Sequence, residues 1–261
     1  MFKEEFYFDK SRIDVRRISR DVAKKFVEKN HYSHKLSLCR IAYGVFYKED
    51  DDSKFFKDEK KEKLIGCIVY SQPAGRSASE SISPSIKKGE ALELIRLCCL
   101  EGYGKNLESY VIGQSFKLLK KDFPKIKALI SYADPEQNHR GGIYISTNWY
   151  YQGCGSVGLM PNYSLSLTKN PYNWMHSRTC SERFGSHNVE HLKNVIGHTF
   201  YRKMETQKHR YFYLICDKKT KKQILKTLVH KTQEYPKNNV YVENIEKVVV
   251  EENINKDCKF F

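Results

Sequence analysis

The segment from Glu90 to Gly153 constrains the fold most. An apolar run at 91–100, ALELIRLCCL, reads as a strand. It turns through the glycines of EGYGK into NLESYVIGQSFKLLKK at 106–121, where Leu107, Val111, Ile112, Phe116 and Leu119 recur at helical spacing. IKALISYAD at 126–134 reads as a further strand, GGIYISTNW at 141–149 as a short helix, and YYQGCG as a strand or turn. Strands alternating with amphipathic helices specify a mixed α/β sheet, because each helix must bury its apolar stripe on a sheet face.

Upstream, SRDVAKKFVEKN at 19–30 opens with a Ser cap and an early Asp, and spaces Val22, Phe26 and Val27 on one face of a first helix. IAYGVFY at 41–47 and KLIGCIVY at 63–70 read as strands joined by a highly charged, solvated connection. A polar stretch with Gly75, Pro84 and Gly89 reads as a surface loop. Beyond about 155 the pattern is less regular: HNVEHLKNVI at 187–196 is helical, HRYFYLIC at 209–216 strand-like, and KKQILKTLVHK a basic helix. The last twenty-odd residues have no clear periodicity, and no internal repeat is found.

The 46 Lys and Arg against 31 Asp and Glu leave a net charge of +15. Such an excess favours a polyanionic partner through counterion release and long-range steering. Surface lysine of purely compositional origin is the alternative. No apolar run is long enough to span a bilayer, so no membrane is expected. The N-terminus MFKEEFYFDK is charged from its third residue and lacks a signal-peptide core, so the expected location is cytoplasmic. The eight cysteines include no C-x-x-C pair, and several lie in apolar runs, as buried free thiols of a reducing compartment do.

Glycine lets backbone approach a ligand closely, and the free N–H groups of a helix's first turn attract phosphate oxygens. Gly102, Gly104, Lys105, Asn106 and Ser109 can therefore cradle a pyrophosphate. The loop matches neither the Walker pattern nor the three-glycine dinucleotide fingerprint. It resembles the Q/R-x-x-G-x-G/A loop of the GCN5-related N-acetyltransferase superfamily, with Cys99 standing where Gln or Arg is expected. GGIYISTNWYYQGCG is similar to the short helix and following strand of the same superfamily.

A narrower resemblance covers residues 20 to 153. NHYSHK, GVFY, IGCIVYSQP, LELIRLCCLEGYGKNLESYVIG and LISYADPEQNHRGGIYISTNWYYQG occur in the order and spacing of the phage Mom family, DNA-modification proteins with an acetyltransferase-like fold. A fainter likeness continues through HSRTCSERFGSHNVEHLKNV and HRYFYL to EYPK. The resemblance implies conversion of the exocyclic N6 amine of adenine in DNA to a methylcarbamoyl (acetamido) group, which shields phage DNA from restriction in the bacterial host. It also implies acetyl-CoA or a related acyl donor, an iron ion, and functional positions at His31, Tyr32, Arg96, Ser109, Asp134 and Tyr144. The expected organisation is an acetyltransferase-like catalytic domain at 1–155, a basic part at 156–235 that completes the fold and contacts DNA, and a tail at 236–261.

The residue types suit these roles, each with a plainer alternative. Arg96 sits in an apolar strand, where an unpaired guanidinium is costly. It should face the donor's phosphate or another anion, or make a structural salt bridge to Glu93 or Asp134. Asp134, at the carboxyl edge of a strand, can be a general base, a metal ligand or a helix cap. Tyr144 can protonate a leaving thiolate, or be a core tyrosine. His31 and Tyr32, with Asp134 and Tyr144, offer N and O ligands suited to iron, with His34 as a competing ligand. His176, Cys180, His187 and His191 do not have zinc-finger spacing. Arg178, Arg183, Arg202, Lys203 and Arg210 stand near aromatics, as phosphate contacts do. Chemistry on N6 requires the base to leave the stack, with Tyr43, Trp149, Tyr150 and Tyr151 as candidate walls. Two other readings stay open: an ordinary N-acetyltransferase acting on a protein or small amine, and a non-catalytic DNA-binding protein on this scaffold.

Overall fold

The computed structural model describes residues 7–49, 62–73, 77–154, 162–238 and 244–250. The charged connection after residue 49, the turn around Gly75 and the tail after residue 250 lie outside the described residues. In chain order the strands and helices are β1 (Ile13–Arg17), α1 (Arg20–Asn30), β2 (Ile41–Lys48), β3 (Glu62–Ser71), β4 (Ala91–Cys99), α2 (Leu107–Asp122), β5 (Ala128–Ala133), α3 (Gly142–Ser146) and β6 (Tyr150–Cys154). Then follow β7 (Tyr163–Ser166), α4 (Ser177–Phe184), α5 (Val189–Ile196), β8 (Phe200–Met204), β9 (His209–Leu214), α6 (Lys218–Lys226) and β10 (Ile245–Val248). The chain divides into two compact units: residues 1–133, 139–154 and 209–237 form the first, and 134–138, 155–208 and 238–261 the second.

The first unit is a seven-stranded sheet in the order β1-β2-β3-β4-β5-β9-β6. All its pairings are antiparallel except β4 with β5. α2 covers one face. Its Leu107, Val111, Ile112, Phe116 and Leu119 are all buried with Leu92, Leu94, Leu129 and Trp149, as their spacing requires. α1 covers the other face near β2 to β4. Its Ser19 side chain accepts from the Val22 N–H, which closes the first turn. Ala23, Phe26 and Val27 face the sheet while Val22 is exposed, so the buried stripe sits one residue later than the spacing of Val22 suggested. A third cluster, Ile82, Ile86, Ile130, Phe212 and Ile224, lies under α6.

Strand β9 inserts between β5 and β6, pairing Ala133 with His209 and Tyr151 with Tyr211. The sheet is therefore completed by chain that returns after residue 208. The second unit holds a three-stranded antiparallel sheet, β10-β8-β7, with Leu165, Cys180, Leu192, Phe200 and Val248 as its core. Its sequence carries ten basic and ten acidic residues, so the whole excess of +15 belongs to the first unit. The basic stretch expected at 156–235 carries a net +4 up to Lys208 and +5 from Arg210 onward, so its charge is divided between the two units. The described cysteines are free, and no described helix is long and apolar enough to cross a membrane.

Candidate active site

Parallel strands β4 and β5 pair only at Ala91 with Ala128, Leu92 with Leu129, and Glu93 with Ile130. Beyond these residues β4 runs on to Cys99 with no further pairing to β5, and a wedge opens between them. Ser131, a polar residue inside the apolar strand ALISYA, stands at its apex. Its hydroxyl lies 2.8 Å from the carbonyl oxygen of Leu94 and 2.7 Å from the hydroxyl of Tyr144. Burial pushes the Tyr144 phenol up to about 12, against the bond from Ser131, with Tyr32 and Glu93 adding to the rise. Tyr144 therefore keeps its proton at neutral pH.

On the α1 side of the wedge stand His31, Tyr32 and Arg96. His31 ends α1, its backbone N–H donating to the Val27 carbonyl. The Ser33 backbone N–H donates to His31 Nδ1 at 3.1 Å, which leaves the ring proton of the neutral form on Nε2. Burial, with Arg96, His139 and His34 adding positive charge, lowers the His31 pKa to about 4. Tyr32 is 58% exposed, between His31 at 4.3 Å and His139 at 5.6 Å between ring centroids. Arg96 donates from Nε to the Lys35 carbonyl at 3.1 Å and from Nη1 to the Ile95 carbonyl at 2.6 Å. Backbone carbonyls, rather than Glu93 or Asp134, thus satisfy the guanidinium, and Nη2 takes part in neither bond.

At the other end of the wedge, the loop after β4 leads into α2. Asn106 is its left-handed N-cap residue and makes no side-chain cap bond, so no side chain of its own closes the first turn. Gly102 has open space where a side chain would be. Gly104 does not: a Cβ there would strike the Phe8 backbone, and Tyr7 bridges to Lys105. The N-terminal segment therefore covers half of the glycine cradle. Ser109 lies 3.4 Å from Ser146 on α3, hydroxyl to hydroxyl.

Asp134 falls in the second unit. Its Oδ1 accepts from the Glu136 N–H, capping a single 3-10 turn, and its Oδ2 lies 3.1 Å from Lys208 Nζ. The expected metal set of His31, Tyr32 and Asp134 is therefore not assembled. Both Asp134 oxygens are taken, and His31 would have to move its proton onto a nitrogen that faces an N–H. Among the described residues no three His, Cys, Asp or Glu side chains are placed to hold an ion. The residues present do not fit an iron site.

The expected base wall is corrected as well. Trp149 and Tyr43 are fully buried, and Tyr151 nearly so. Trp149 packs against Phe116, Tyr144 and Tyr213, where only unfolding would admit a base. Tyr150 stacks on Phe212, with Lys221 over its ring. Among the described residues of the first unit, the exposed aromatics near the wedge are Tyr32 and Tyr132, with Tyr7 exposed over the glycine loop. Arg210 is half-buried beside Tyr132 and donates to Ser81 at 2.7 Å. In the second unit Arg202 pairs with Glu246 and Lys203 with Glu136, while Arg178 and Arg183 are exposed. Sequence reasoning missed Ser131 and His139; the signal for Ser131 was a lone hydroxyl in an apolar strand.

A model of the Mom protein family matches residues 12–237. Among solved structures, spermidine/spermine N-acetyltransferase SpeG from Vibrio cholerae, in complex with manganese ions, is 9% identical. That match covers 78% of this chain and 94% of that one, with a TM-score of 0.39. NAA60 from Arabidopsis thaliana, in complex with acetyl-CoA, is 10% identical over 77% of this chain and 99% of that one, with a TM-score of 0.42. No curated protein matches the chain.

Proposed function

The chain belongs to the Mom protein family, and from that premise we propose that it transfers an acyl-derived group from a coenzyme A thioester to the N6 amine of adenine in DNA. The observation that carries this reading is the wedge between β4 and β5, with a protonated Tyr144 at its apex and an exposed Tyr32 beside it. A thioester inserted there would present its carbonyl near Tyr144. Its pyrophosphate would meet the uncapped N–H groups of α2 beside Gly102, where open space lets a phosphate approach the backbone.

Adenine N6 is a weak nucleophile because its lone pair is delocalised into the ring. The site must therefore orient it and stabilise the leaving group. In the transfer step the new bond forms from N6 to the acyl carbon and the carbon–sulfur bond breaks, which gives an N6-acyl adenine rather than the methylcarbamoyl (acetamido) group that the resemblance implies. The departing thiolate accepts a hydrogen bond from Tyr144, whose raised pKa keeps the proton on the phenol. The flipped base stacks on Tyr32, with the His31 Nε2–H as a neutral donor at its edge. Arg96 Nη2 orients the donor or the developing oxyanion. Asp134, as the base for the N6 proton, would first have to give up Lys208.

Mass spectrometry of nucleosides from DNA of cells expressing the protein tests the reading. An adenosine adduct that disappears in Tyr144→Phe and Arg96→Ala supports it. Unmodified adenosine, with acetylation of a protein or polyamine instead, would overturn it in favour of an ordinary N-acetyltransferase.

A further inference from the structure

The second unit is electrically neutral and the first carries the whole excess of +15. Much of that excess is concentrated where the end of α2 meets the start of α6. Lys120, Lys121 and Lys125 come from the first segment and Lys218, Lys219 and Lys222 from the second. The two segments meet around a cavity of about 300 Å³ lined by Lys120, Lys127, Ile215, Cys216, Asp217 and Thr220. Lys120 of α2 and Thr220 of α6 both line it, so the two helix ends reach the same cavity from the two faces of the sheet.

The six lysines are exposed and none makes an ion pair among the described residues. The nearby carboxylates offset only part of this charge. Asp217 is spent on capping α6, accepting from the Lys219 and Thr220 N–H groups and the Thr220 hydroxyl. Glu90 is paired with Lys127. Asp217 keeps its charge while it caps, so with Asp122 it offsets two of the six lysine charges and leaves a net of four. Six like charges held together on folded helix ends repel one another, a cost that a polyanion removes.

We propose that this lysine surface binds the phosphate backbone of duplex DNA, as a docking site separate from the reacting wedge. It lies at the Lys127 end of β5, whereas Ser131 and Ala133 lie toward the other end. At about 3.3 Å per residue, the four steps from Lys127 to Ser131 separate the two by roughly 13 Å along the strand. Lysine ammonium groups act as point charges, so the surface holds DNA without reading its sequence. A bilayer is a poorer fit. A helix lying on a membrane presents large apolar side chains beside its lysines, whereas Ile224 of α6 is buried in the core.

The inference rests on the DNA reading given above, but its test separates from it. Binding of the full chain to a duplex of about 30 base pairs is followed by fluorescence anisotropy between roughly 50 and 200 mM salt. Changing Lys120, Lys121, Lys218 and Lys222 together to Gln should weaken binding more than tenfold and lower the salt slope by about three. The matched four-fold change to Arg should keep both, which separates lost charge from lost fold. An unchanged slope in the Gln variant overturns the surface even where adenosine carries an adduct. A lost slope with no adduct on adenosine keeps the surface and rejects the modification reading. Vesicles of phosphatidylglycerol that bind as tightly as the duplex, and equally lose binding in the Gln variant, would overturn DNA as the partner.

Discussion

The Ser131 hydroxyl bridges Leu94 and Tyr144, at 2.8 and 2.7 Å, where β4 and β5 part. One small side chain thus ties the wedge to its hydrogen-bond donor. Ser131→Ala should cost roughly 1–3 kcal/mol in urea unfolding, because two buried polar groups lose a partner. Tyr144→Phe keeps the Ser131–Leu94 bond and should cost less. It should nonetheless lower adduct formation at least about 100-fold, the scale of a lost hydrogen-bond donor to developing charge. Full activity in Tyr144→Phe would remove Tyr144 from the chemistry.

His31 gives the protein a pH signature. Its pKa falls from an ordinary value of 6.5 to about 4, so between those values the unfolded chain binds a proton that the folded chain does not. Stability from this group is complete above pH 6.5 and drains as pH falls toward 4. Unfolding measured across that window should steepen by up to one proton in the native protein. His31→Gln should flatten it. An identical slope in both would mean that the fold does not lower the His31 pKa and that the ring is not held neutral by its surroundings.

The two glycines of the loop should behave differently. Gly102 and Gly104 both have positive φ, 90° and 105°, so alanine at either is strained by roughly 1–2 kcal/mol. Only Gly104 also meets backbone, that of Phe8, whose ring packs 4.9 Å from Tyr110 of α2. Gly104→Ala should therefore be the more destabilising by thermal melting, and should loosen residues 7 and 8 in hydrogen exchange. Equal melting points would mean that the N-terminal segment does not cover the loop.

The local parts of this structure were legible because periodicity is local. The five apolar buried residues of α2 follow from spacing, as do the strand around Ser131 and the short helix carrying Tyr144, but buried Ser115, which bonds Tyr70, does not. What required long-range pairing was not legible. HRYFYLIC reads as a strand, but nothing within it says that it lies between β5 and β6, and with that goes the assignment of the basic α6 to the first unit. β1 was missed because IDVRR is short and half charged, its Arg16 held by Asp14 and Glu62. The aromatic wall failed for a related reason. Residue type does not separate Trp149, sealed under α2, from Tyr32, which a turn after α1 leaves in solvent.

Asp134 offers the sharpest test of a role that residue type alone leaves open. Its Oδ1 caps the Pro135–Gln137 turn and its Oδ2 meets Lys208, so a structural purpose already accounts for both oxygens. Asp134→Asn retains an acceptor for the Glu136 N–H and loses only a partly exposed ion pair, a change within about 1 kcal/mol. Asp134→Ala loses the cap as well, at about 1 kcal/mol more. If Asp134 removes the N6 proton, the Asn variant should melt like the native protein and form at least about 100-fold less adduct. Lys208→Met should then leave Asp134 freer and keep the adduct. An active Asn variant would make Asp134 a cap and nothing more, and the proton of N6 would have to leave by another group.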